Sequence, residues 1–457
     1  MSTYRSSIAV AIIAMAFPAA VLSALDIKLD IVAARWELRP GLTTTVWSYN
    51  GQVPGSPIVV NLGETVVIQG TNRLQVPTNI HWHGLVVPND QDGPGKVIQP
   101  GETFRYQFKV EETGTYWYHS HQRPVLPQVD RGLYGSFVVR VPEDARYSGD
   151  HTLVLDDWYL DATGRRIEGT AQGDMERYGN VETVNGKTGD AIEPLVFQKG
   201  EIHKLRFINA STAAVHELRV TGHRFRVTHT DGHALTQPYI ADVVRLAPGE
   251  RLDVEVEAAG AEGQTYTIAS ARAELGIRIP VTYRAGSRAQ VASPFVAPPS
   301  RAFPGAKDRL PDYVLDLNSS MGMGGMGGMD HGGMSMGGTS AAGMMSWTIN
   351  GVSFPETEPL FVKTGELVKV RMRNRDTGTG MQHPMDHPMH IHGAFFQVVS
   401  LNGRDPERET WKDTIVVPAG EYVDVAFIMK YPGQWMFHCH VIDHEDAGMM
   451  TMVEASP

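Results

Sequence analysis

The one cysteine of the chain, Cys439, lies between two histidines in Trp435-Met436-Phe437-His438-Cys439-His440, with His444 and Met449 close behind. With no second cysteine to pair with, its thiol is either a buried core group or a metal ligand. On a strand, adjacent residues point to opposite faces and alternate residues share one. His438 and His440 would then face one way and Cys439 the other, so a single backbone segment would join two metal sites. Four His-x-His motifs occur in all: His81/His83, His119/His121, His390/His392 and His438/His440. Eighteen histidines spread over 457 positions would give only about 0.7 such motifs by chance. On strands, each motif aims two imidazoles from one face, and four motifs supply eight.

The thiolate site needs a second imidazole beside His444. His387 is the best placed, in His387-Pro388-Met389-His390-Ile391-His392. Two imidazoles, a thiolate and a weak axial methionine, for which Met449 is suitably spaced, form the trigonal blue-copper donor set. Zinc also takes cysteine and histidine, but zinc alone leaves eight further imidazoles unexplained.

Repeated elements must carry these donors. The marks Asn50-Gly51, Gly63-Glu64 and Asn72 recur as Asn185-Gly186, Gly200-Glu201 and Asn209, and again as Asn350-Gly351, Gly365-Glu366 and Asn374. Alternating runs between them, such as Thr65 to Gln69 and Leu367 to Arg371, read as strands. A second mark, at Pro100-Gly101-Glu102, Pro248-Gly249-Glu250 and Pro418-Ala419-Gly420-Glu421, precedes another such run. A third, at Gly114, Gly263 and Gly433, opens an aromatic-rich strand. A repeat longer than about 100 residues is a triplicated domain and not a solenoid. With no long amphipathic helix, the expectation is an all-β chain of antiparallel sandwiches or barrels. Five and seven residues after the third mark stand His119 and His121, then Ile268 and Ser270, then His438 and His440; between them stand Ser120, Ala269 and Cys439. The second copy has lost the imidazoles, and only the third has the thiol. This pattern puts a metal cluster between the first and last copies, and a thiolate site in the last.

Forty-two per cent hydrophobic content is ample for packed cores. Forty Lys and Arg against 51 Asp and Glu give a net charge of −11, which argues against a nucleic-acid-binding surface. Met1 to Ser7 with one arginine, the apolar run Ile8 to Leu22 and the small Ser23 and Ala24 form a secretory leader pattern. The run is short for a spanning helix and Pro18 interrupts it. Export without a twin arginine points to the Sec route, and export without an internal disulfide points to a bacterial periplasm. The expected division is a leader over 1–24, units over 25–145, 146–300 and 301–457, and a Met/Gly-rich insertion at 321–345. His151, His203, His216, His223, His229 and His233 lack ligand spacing and read as structural or surface residues.

At His81-Trp82-His83-Gly84, Tyr116-Trp117-Tyr118-His119-Ser120-His121, His387 to Gly393 and the 438–449 segment, the chain resembles the multicopper oxidases, a three-domain, laccase-like family. The resemblance covers essentially the whole mature chain. It implies three cupredoxin-like Greek-key β-sandwich or barrel domains and four copper ions. One is mononuclear (type 1), on His387, Cys439, His444 and Met449. One is type 2, on His81 and His390. A type 3 pair is held by His83, His119, His121, His392, His438 and His440. It further implies substrate oxidation at the mononuclear copper, electron passage through Cys439, and reduction of dioxygen to water at the cluster. Asp92 and Glu445 match the family's proton-relay positions.

Residues 321–345 contain eight Met and ten Gly. Thioethers suit Cu(I), and so much glycine makes a loop and not a core. Similar insertions mark the copper-efflux, cuprous-oxidase branch of the family. His383, Met385 and Asp386 run directly into His387 and could hold a substrate metal; Met385 matches that branch, whereas His383 stands where its members carry a carboxylate. Cu(I) oxidation by a monomer is the expected activity. Phenols or aromatic amines are the alternative donors, and copper sequestration without turnover is a less favoured reading.

Overall fold

The computed structural model describes residues 25–170, 176–270, 276–286, 293–321, 345–377 and 384–457. The leader and most of the Met/Gly-rich insertion lie outside the described residues. No helix among the described residues is long and apolar enough to cross a membrane.

Six sheets pack as three pairs, in chain order. In the first pair, the inner sheet runs Gly55–Asn61, Tyr134–Arg140, Gly114–His119, His81–His83. In the last, the matching sheet runs Leu360–Lys363, Met450–Ser456, Gly433–Cys439, His387–Ile391, Thr414–Val417. The middle sheet keeps this order with Leu195–Phe197, Arg278–Tyr283, Thr265–Ser270, His216–Val220 and Val243–Leu246. The third sequence mark thus opens the same strand in each copy. Its partners also correspond: His81 faces His119, Val220 faces Ile268, and His390 faces His438.

Local chemistry explains the repeated punctuation. Asn50, Asn185 and Asn350 have φ of 60°, 50° and 53°, and the glycine after each is also at positive φ. A two-residue hairpin turn that matches strand twist needs positive φ at both positions, and Asn-Gly supplies it at least cost. Each sheet pair encloses its own apolar core, built in the last unit around Val370, Met372, Phe396, Val425, Phe427 and Trp435. Strand alternation aims these residues inward and leaves the strand ends free to carry ligands.

Candidate metal centre

Cys439 closes the strand Gly433–Cys439, and a tight return brings His444 up on the short helix Ile442–Asp446. Cys439 Sγ lies 3.5 Å from His444 Nδ1 and 3.8 Å from His387 Nδ1, and the two nitrogens are 3.3 Å apart. All three side chains are fully buried. Met449 is also buried; its backbone carbonyl accepts from Cys439 N at 3.0 Å. The outer nitrogens end on carboxylates. His387 Nε2 donates to Asp376 Oδ2 at 2.8 Å, and His444 Nε2 lies 3.0 Å from Glu176 Oε1. The Trp347 indole stacks on His444 with ring centroids 3.6 Å apart. Burial pushes the Cys439 thiol well up from its ordinary range, so a cation among these donors is what would hold it as a thiolate.

The other eight imidazoles converge between the first and third units. His81, His83 and His390 form one close group, His83, His119 and His440 a second, and His121, His392 and His438 a third. Within them His121 Nε2 is 3.2 Å and His392 Nε2 3.1 Å from His438 Nε2, and His119 Nε2 is 3.4 Å from His83 Nδ1. Among the pairs that cross the boundary, His81 stacks on His392 and His83 on His390, both at 3.7 Å, while His121 meets His438 at 4.9 Å and His119 meets His440 at 5.5 Å.

Three buried carboxylates line the rim, and each reaches one histidine from either side. Asp92 accepts from His81 Nδ1 at 2.6 Å and His392 Nδ1 at 2.9 Å. Asp413 accepts from His83 Nε2 at 3.1 Å and lies 3.4 Å from His390 Nδ1, which donates to the Asp413 backbone carbonyl at 3.0 Å. Glu445 sits 3.2 Å from His438 Nδ1 and 3.6 Å from His121 Nδ1, yet its oxygens accept no hydrogen bond. By occupying one ring nitrogen, Asp92 and Asp413 leave the other facing inward as a lone pair.

Copper fits this arrangement. His81 Nε2, His390 Nε2 and both nitrogens of His440 are buried without any hydrogen-bond partner, a costly condition unless something else satisfies them. Imidazoles with one thiolate are the ligands that copper takes. Burial lowers His119 to about 3 and His392 to about 4, so both are neutral and able to ligate.

The structure brings together every histidine expected at the two centres. Met385 is half-buried against the core around Cys439. Asp386 turns to the second unit, accepting from Ala419 N at 3.1 Å and pairing with Arg245 at 3.5 Å, and His383 lies outside the described residues. Asp413, Asp376 and Glu176 went unread in the sequence: Glu176 stands 268 residues before its partner, and no spacing rule links them. The second-unit histidines find local partners, as in His203 with Glu201 at 2.8 Å and His216 with Ser211 at 2.9 Å.

A β-sheet architecture holding a thiolate triad and an eight-imidazole pocket defines a copper oxidoreductase. Family models described as "Multicopper oxidase" match residues 30–144, 149–283 and 330–457, and the chain belongs to that family of enzymes, which use dioxygen as acceptor. It is 28% identical to a protein of Mycobacterium tuberculosis named multicopper oxidase MmcO, over 92% of this chain and 85% of that one. It is 27% identical to a copper resistance protein A homolog of Pseudomonas syringae pv. tomato, over 90% and 89%. Among solved structures, a Campylobacter jejuni multicopper oxidase described as a metallo-oxidase superposes with a TM-score of 0.74 and 28% identity, covering 94% of this chain and 91% of that one.

The buried neutral imidazoles set a pH dependence for the metal-free chain. Their ordinary value is near 6.5, against about 3 for His119 and 4 for His392 in the fold. Below 6.5 the unfolded chain takes up protons that the folded chain refuses, so this contribution is intact above 6.5 and is lost as pH falls toward 4. Thermal unfolding of the metal-free protein should therefore shift steadily to lower temperature across that window, and a flat profile would contradict the assignment.

Proposed function

We propose that the chain is an exported, periplasmic oxidase of Cu(I) that passes the electrons to dioxygen. His387, Cys439 and His444, with Met449 as a further weak donor, are the residues that would hold a mononuclear copper. His81 and His390 are assigned to a second, and His83, His119, His121, His392, His438 and His440 to a coupled pair. Copper on these donors supplies one-electron oxidation at the first site and four-electron reduction of dioxygen at the others. The observation carrying the reading is the position of Cys439: its Sγ belongs to the triad, while its peptide neighbours His438 and His440 belong to the cluster. One backbone thus connects electron entry to the oxygen site. Substituting Cys439→Ser should remove the thiolate's visible absorption and at least 10³-fold of turnover, roughly the scale of losing a component that acts as a unit. Oxygen consumption at the normal rate in that variant would refute the reading.

Protons for water formation are assigned to Glu445 and Asp92. Glu445 is fully buried, accepts no hydrogen bond, and lies between a histidine of the first unit and one of the third. A carboxyl so placed can hold a proton at the cluster rim and release it inward. Asp92 holds His81 and His392 at another point of the rim. Glu445→Gln keeps size and shape but cannot cycle a proton. It should lower oxygen turnover roughly 10²-fold or more while leaving copper content and visible absorption unchanged; unaltered turnover would remove Glu445 from the mechanism.

Cu(I) is favoured as donor by the methionine-rich segment and its anchorage. The segment joins the strands Tyr313–Met321 and Met345–Ile349, and the second of these carries Trp347 onto the ligand His444. Thioethers are soft ligands suited to Cu(I), and Met385, Asp386 and His383 are assigned to the same substrate metal. Removing 322–344 should depress Cu(I) oxidation selectively relative to phenol oxidation. Intact Cu(I) turnover with altered phenol turnover would favour a laccase instead. More than four coppers per chain with no oxygen consumption would favour sequestration.

A further inference from the structure

The second unit has no histidine in the cluster, yet it reaches the cluster through a charge. Arg251 opens the strand Arg251–Glu257 of that unit and is completely buried. Its guanidinium donates to both oxygens of Asp413 in the third unit, at 2.7 and 2.5 Å, and its Nε donates to Thr115 O of the first unit at 3.2 Å. Remaining donors go to Gly249 O and Asp231 O, both at 3.1 Å. The Asp231 carboxylate accepts from Arg251 N at 2.9 Å, and from the backbone amides of Asp413 and Thr414 at 3.3 and 3.2 Å. Two residues of the second unit therefore set where Asp413 stands.

Asp413 in turn fixes two imidazoles. Its Oδ1 accepts from His83 Nε2, and with Thr414 Oγ1 it flanks His390 Nδ1. His83 is left presenting Nδ1 toward His119, and His390 presenting its unpartnered Nε2. Asp92 does the same for His81 and His392, but no lysine or arginine pairs with it among the described residues. Each carboxylate thus lies between one histidine of the first unit and one of the third, and only Asp413 has a guanidinium against it. Arginine does not give up its proton in proteins, so Arg251 cannot serve as a relay. What it supplies is a fixed, forked pair of hydrogen bonds. Its surroundings leave no slack: a Cβ on Gly84 would lie 2.3 Å from Arg251 Nη2, and one on Gly249 would lie 2.8 Å from the His440 ring.

We propose that Arg251 is a positioning residue for the histidine cluster, acting through Asp413 on His83 and His390, so that the metal-binding geometry of the first and third units depends on the second. This rests on the assignment of those histidines to copper. The test loads the full-length chain and its variants Arg251→Met, Arg251→Lys, Asp413→Asn and Arg251→Met/Asp413→Asn with copper, then measures bound copper, visible thiolate absorption and the paramagnetic signal of the non-thiolate copper. Arg251→Met should weaken cluster copper binding roughly 10- to 100-fold, the range found for ligand-orienting partners, and alter that paramagnetic signal, with the thiolate absorption kept. Arg251→Lys, which keeps the charge and loses the fork, should recover part of the binding. Because one residue acts through the other, the double variant should be no worse than the more affected single variant. Full cluster copper with an unchanged signal in Arg251→Met would overturn the proposal. So would additive losses in the double variant, or parallel loss of thiolate absorption and cluster copper in the methionine and lysine variants, which would leave Arg251 only a role in holding the fold. Failure of the unmodified chain to bind copper at the cluster would refute the copper assignment itself, a distinguishable result.

Discussion

Six of the eight buried imidazoles have one ring nitrogen held by an acceptor, which decides the nitrogen each keeps bare. In water either nitrogen can carry the proton, and in a dry pocket an unpaired polar atom is expensive. Here the outward nitrogens of His81 and His392 are claimed by Asp92 and those of His83 and His390 by Asp413 and its neighbours, while His119 and His438 use the backbone carbonyls of Ser120 and Cys439. The inward nitrogens are left with nothing but one another. Unpartnered nitrogens in a dry pocket are the donors a metal ion would satisfy.

The mononuclear triad obeys the same constraint with different acceptors. Asp376, just beyond the repeated Asn374, holds His387, and Glu176 from the second unit approaches His444. Burial of the thiol raises the cost of its charged form, so a metal bound there would have to displace the thiol proton.

Much of this was legible in the sequence because ligand chemistry forces a short spacing on a strand. His-x-His at four places, a lone Cys439 between two of those histidines, and the substitution of Ile268 and Ser270 in the second copy together define which units face each other. The Asn-Gly and Gly-Glu marks were readable because a turn at positive φ admits few residue types. The acceptors were not readable. A buried aspartate in Trp411-Lys412-Asp413-Thr414 looks like any polar residue at a strand edge until the fold sets Arg251 and His83 beside it, 162 and 330 residues away in sequence. The second copy shows only lost imidazoles in its sequence, and the residues by which it reaches the two histidine groups, Arg251, Asp231 and Glu176, carry no spacing signal.

The crosswise pairing of the histidines has a consequence of its own. His81 and His390 occupy equivalent places in their units, as do His83 and His392, yet the stacks join His81 to His392 and His83 to His390. His119 and His121 pair with His440 and His438 in the same inverted sense. Residue i meets j while j meets i, which is the rule of an isologous contact about a two-fold axis. The histidine pocket is thus arranged about an approximate two-fold axis, and Cys439, which stands where the first unit has Ser120, is a position at which its two halves differ.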